Sequence, residues 1–124
     1  MAGYATYHPG IGVIETTFGG ELTPDELRGV VEEAMALARQ HSTFLFLADC
    51  MGLAGGHNVF DLYGLVEFLQ AQGLPPGFKE ALLMPGAGGG LIEGVEFWET
   101  ACLNRGINVR MFDDRAAALA WLME

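Results

Sequence analysis

The closing stretch of the chain constrains its fold more than any other. Asn108-Val-Arg-Met-Phe112 has the β-branched and aromatic character of a strand, and it runs through Asp113-Asp114 into the Ala-rich Arg115-Ala-Ala-Ala-Leu-Ala-Trp-Leu-Met123. An acidic residue ahead of good helix formers marks a helix start, because its carboxylate accepts from first-turn N–H groups that have no partner within the helix. Trp121 and Leu122 are the residues expected to pin that helix to a sheet. The same strand-then-helix unit recurs back to the middle of the chain. Such alternation predicts a largely parallel sheet, since parallel neighbours must be joined by a crossover and crossovers are right-handed.

The opening differs. Tyr4 to His8 and Ile11 to Phe18 flank Pro9-Gly10, which suits the centre of a tight turn, so an antiparallel hairpin is predicted, ended by Gly19-Gly20. Thr23-Pro24-Asp25-Glu26 then combines a capping threonine, a proline at the first helical position and a glutamate able to reach back in a capping box. Leu27, Val30, Val31, Ala34, Met35 and Ala38 give the following helix one apolar stripe, ending near Gln40. Thr43 to Ala48 is a continuous apolar run suited to a strand buried on both faces. A Gly-rich loop, Asp49 to His57, leads to a helix from Val59 to Gln72 with Asn58 as its cap. A short strand, Lys79 to Met84, precedes the loop Pro85-Gly-Ala-Gly-Gly-Gly90 and a third helix, Leu91 to Asn104. The expected fold is α/β: a single domain over residues 1–124, with a mixed five-stranded sheet flanked by four helices.

This order of elements resembles the STAS family, the sulphate-transporter and anti-sigma-factor-antagonist domains, and in particular its SpoIIAA-like branch. Three pieces carry the resemblance: the hairpin leading through Leu22-Thr-Pro-Asp-Glu-Leu27 into the first helix; the buried strand ending at Asp49; and Val109-Arg-Met-Phe-Asp-Asp114 running into Ala118-Leu-Ala-Trp-Leu122. The resemblance implies a non-enzymatic module that binds partner proteins, in some members under control of a serine phosphorylated at the start of the second helix. Asp61-Leu-Tyr-Gly-Leu65 is the segment similar to that motif, but Leu62 and Tyr63 occupy the serine positions. The phosphoserine switch is therefore not expected here.

Charge and composition narrow the function classes. Six basic residues against sixteen acidic ones give a formal charge of −10, and the cations are scattered, so nucleic-acid and anionic-membrane binding are disfavoured. The longest apolar run, Phe44 to Ala48, falls far short of the roughly 20 residues a membrane span needs. The chain starts without a basic and apolar leader-like segment, so a cytoplasmic location is expected. Cys50 and Cys102 are too few for a disulfide framework. His8, His41 and His57 lie on separate segments without ligand spacing, so no metal and no cofactor is expected.

Two loops hold the candidate ligand-binding residues. Asp49, Cys50 and His57 follow the buried strand at the end where open α/β sheets bind ligands. Gly86, Gly88, Gly89 and Gly90 precede a helix whose N–H groups can hold an anion, although they lack the Lys and Ser or Thr of a nucleotide loop. No catalytic residue is assigned. In the second helix Val59, Leu62, Leu65, Val66 and Leu69 form the core stripe, while Phe60, Gly64, Phe68 and Ala71 form a second stripe suited to a partner, most simply an identical subunit. Trp98 shares a helical face with Leu91, Val95 and Cys102 and is expected in the core. The reading is a non-catalytic regulatory or protein-interaction module, a homodimer, able to bind a small apolar or anionic ligand. The alternative is a small enzyme or ligand-binding protein working at loops 49–57 and 85–90.

Overall fold

Strand β1 (Gly3–His8) turns through Pro9–Gly12 into the antiparallel β2 (Val13–Glu21), and Gly12 closes the turn by donating its N–H to the His8 carbonyl at 2.9 Å. The computed structural model describes residues 3–85 and 92–124, the side chains of 92 and 93 excepted. The chain continues through α1 (Pro24–His41), β3 (Leu45–Gly55), α2 (Val59–Gln70), β4 (Lys79–Leu83), α3 (Ile92–Leu103), β5 (Val109–Phe112) and α4 (Arg115–Leu122). The five strands lie in one sheet in chain order, and every pairing after β1–β2 is parallel. The expected mixed α/β sheet with four helices is what the chain forms.

The helix starts follow from their sequences. Thr23 Oγ1 accepts from the Glu26 N–H while the Glu26 carboxylate accepts from the Thr23 N–H, and Pro24 opens α1. Asn58 and Asp61 make the same reciprocal box at α2, and Asp114 caps α4 through the Ala117 N–H. Each cap stabilises its helix by about 1 kcal/mol.

Alternation along the strands divides the interior in two. Ile14, Phe46, Ala48, Cys50, Leu82 and Val109 face α1, α2 and α3, whereas Val13, Leu47, Ala81 and Leu83 face α4. Three crossover helices therefore share one face, as right-handed connections between consecutive strands require. The fourth helix folds back over the other.

Two sequence expectations are corrected. The strand expected over Thr43 to Ala48 does not stop before a loop: β3 runs to Gly55, and its far half pairs with the far half of β2, Gly19↔Gly52 and Gly20↔Leu53. Gly19-Gly20 likewise continue β2 instead of ending it. Glycine weakens a strand on its own, but here each Gly-rich segment is held by the other's backbone, with register shifts at Thr17/Gly19 and Gly20/Glu21 absorbing the irregularity. Among the described residues no helix is long and apolar enough to cross a membrane.

Candidate ligand cavity

A cavity of about 220 Å³ lies between the sheet and the three crossover helices. The backbone of α2 rests against α1 and α3 rather than against the strands, so the space beneath it is not closed by direct helix-on-sheet packing. Leu62 and Leu65 of α2 form its roof, Val95 and Trp98 of α3 one wall, Leu27 and Val31 of α1 with Phe18 of β2 the other, and Ala48, Cys50, Glu80 and Leu82 the sheet floor. His57, Asn58 and Val59 lie at the rim, where the chain leaves β3 for α2. Val31 and Val59, expected in core stripes, both border this space, and Val31 is only partly buried while Val59 is 49% exposed.

Glu80 is the anomaly. It sits on the floor between Phe46 of β3 and Val109 of β5, at a strand position whose next same-face neighbour is the buried Leu82. Its Oε1 accepts the Trp98 Nε1–H at 2.7 Å, and among the described residues no cation pairs with it. Its side chain is partly covered and lines the cavity. Desolvation pushes its pKa up to about 7, against the opposing effect of the Trp98 hydrogen bond. Burial also pushes up the thiols of Cys50 and Cys102, with the nearby Glu80 charge adding to the effect in both. Both are free, buried and neutral, which is the wrong state for a nucleophile.

The expected trio separates. Cys50 faces the cavity, while Asp49 points to the opposite side of the sheet and accepts the Met51 N–H at 3.0 Å. His57 Nδ1–H donates to the Leu22 carbonyl at 3.2 Å, next to the Leu22 N–H bond to the Gly55 carbonyl. Gly56 beside it has φ +97°, and a Cβ there would meet Leu22 backbone at 2.7 Å, so only glycine fits where the two segments meet. His57 therefore ties the rim together instead of joining Cys50. Gly86, Gly88, Gly89 and Gly90 lie outside the described residues. Among the described residues no group of three or more His, Cys, Asp or Glu is placed to hold a metal ion.

The second stripe of α2 also divides. Phe60 is 87% exposed, and Gly64 and Ala71 are exposed as expected, but Phe68 packs against its own core and is covered by the Arg28 guanidinium, 4.5 Å from the ring centroid. Glu80 and Trp98 were not singled out as binding residues. The available signal was a charged residue at an inward strand position, two before Leu82, in a segment otherwise taken for ordinary core.

No protein-family model matches the chain. No curated protein matches it either. Among solved structures, it is similar to an uncharacterized protein of the DUF3478 family from Shewanella loihica PV-4, described as having a SpoIIAA-like fold. The two share 17% sequence identity over 98% of this chain and 92% of that one, with a TM-score of 0.60. At that identity the likeness speaks to architecture alone, and it agrees with the hairpin, the three same-face crossovers and the returning last helix: the chain has a SpoIIAA-like fold.

Proposed function

We propose that the protein is a non-catalytic binding module that takes a small apolar ligand in the cavity under α2 and regulates or recruits a partner through that site. The cavity carries this reading. Protein interiors pack at near-crystalline density, and voids much larger than a water molecule are few. One of about 220 Å³ exceeds the roughly 150 Å³ engineered cavity that takes benzene. Its mostly apolar lining with one polar anchor is the usual make-up of a small-molecule site. Neutral thiols and a histidine engaged by backbone argue against nucleophilic chemistry at this place. Replacing Trp121 with Phe leaves Trp98 the sole tryptophan, whose emission then reports on the cavity. Titration with 2-phenylethanol should give a saturable change that Val95→Phe, by filling the space, abolishes. A linear response identical in both proteins would count against the reading.

A second reading concerns self-association. Phe60, Val59 and Tyr63 expose apolar surface together on the first half of α2, beside the cavity rim, which favours an interface between two copies around a two-fold axis. Phe60 would be the anchor. Sedimentation of wild type and Phe60→Glu tests it: a wild type that is monomeric at high concentration removes the homodimer.

A further inference from the structure

We infer that the ligand of this cavity is a primary amine carried on a single ring or short apolar chain, its ammonium group paired with the carboxylate of Glu80. The inference rests on the cavity being a binding site and adds the chemistry of its occupant.

A carboxyl on the floor of an apolar cavity is costly unless something meets it. Trp98 supplies one donor to Oε1, and among the described residues Oε2 has none, so one oxygen is already oriented and the other is left without a donor in a residue that lines the cavity. A carboxylate accepts and does not donate, so the complementary group is a donor. A cationic donor fits best for three reasons. No cation of the described residues pairs with Glu80, so a ligand would be the first to neutralise it. The chain carries a formal charge of −10, which draws cations in and repels carboxylates. Phe18 and Trp98 line the walls, and aromatic faces attract a desolvated ammonium. The volume leaves room for one ring and a short linker beyond it.

The pairing has a predictable pH dependence. Other ionisable groups near Glu80 are Cys50 on β3, Cys102 on α3 with Arg105 beyond it, and His57 at the rim; both thiols stay neutral across the range used. With Glu80 titrating at about 7, the carboxylate is present above that pH. Affinity for an amine should then fall about tenfold per pH unit below it.

The test uses Trp98 emission in the Trp121→Phe protein with three probes of similar size: phenethylamine, 2-phenylethanol and hydrocinnamate. At pH 8 phenethylamine should bind at least about tenfold tighter than the alcohol, and hydrocinnamate more weakly than either. At pH 5.5 the amine's advantage over the alcohol should be lost, and Glu80→Gln should erase that advantage at every pH. Alcohol and amine binding equally at pH 8, or hydrocinnamate binding tightest, would overturn the amine while leaving the cavity a binding site. Failure of all three probes would overturn both. Should Glu80→Gln fold poorly, the pH series on the parent protein decides by itself.

Discussion

Two glutamates face opposite sides of the same sheet and are held in opposite ways. Glu15, on the α4 side, receives both guanidinium nitrogens of Arg115 at 2.9 and 2.7 Å and the His8 ring at 2.8 Å. The Arg115 hydrogen bonds lower its pKa, outweighing the burial that would raise it. That contact also compensates for a cation at the start of α4, where the helix dipole disfavours one. Glu80, on the other side, has one neutral donor and a pKa moved the other way. The difference extends to packing. The α4 side is a small filled core in which Val13, Leu47, Ala118 and Leu122 are almost wholly buried, with Lys79 Nζ donating to the Trp121 carbonyl at the helix end. The larger core on the other side contains the cavity. A satisfied carboxylate in a filled layer maintains a structure; an incompletely satisfied one in a hollow layer is available to a ligand.

Five variants can break or sharpen this contrast. On the filled side, Leu122→Ala should lower unfolding free energy by about 2–5 kcal/mol in chemical denaturation. Trp121→Ala should cost less, about 1–2, because the ring is only partly buried, against Phe112 and Lys79. A larger cost for Trp121→Ala than for Leu122→Ala would mean that the ring and not Leu122 docks the helix.

On the hollow side, Glu80 holds its proton more tightly when folded, at about 7, than its ordinary value of 4.5. The folded state binds more protons between those values, so stability is lost as pH rises through that window and stays lost above it. Glu80→Gln should therefore exceed wild type by up to about 3 kcal/mol at pH 8 and match it at pH 4. A variant that is less stable at pH 8 would mean the carboxylate is already satisfied.

Arg115→Met should cost about 1–2 kcal/mol at pH 7, discounted for the half-exposed guanidinium. Here the sign reverses: the lowered Glu15 pKa contributes stability above its ordinary 4.5, and that contribution is lost as pH falls through the folded value. The gap between variant and wild type should close in acid and not in base. Smallest of all, Val95→Phe should change stability by less than about 1 kcal/mol, since the added ring enters existing space; a penalty of about 3 would show a filled wall.

Much of the fold was legible because its signals are local. The boxes at Thr23–Glu26 and Asn58–Asp61, the stripe of α1 and the Asp114 cap each depend on residues within a few positions of one another. What was missed depends on distant partners. Cys50 to Gly55 looks like a loop until Gly19 to Glu21 supplies the adjacent backbone, and the extension separates Asp49 from Cys50 onto opposite faces. Phe68 looks outward until Arg28 of α1 covers it. Glu80 was invisible as a site because its meaning comes from Trp98, eighteen residues further on, and from a helix held off the sheet.

The strand order has a kinetic consequence. Every strand pairs with its immediate successor, so no sheet contact must close a loop longer than one hairpin or one crossover. Loop-closure entropy grows with the logarithm of loop length, and chains rich in near-sequence contacts fold fast. The sheet can thus assemble by successive addition along the chain, without waiting for its ends to meet. The contacts of α4 reach further back along the chain, the Arg115–Glu15 pair spanning 100 residues. Such contacts belong at the end of that order, with the Arg115–Glu15 pair latching α4 once the strands beneath it are in register.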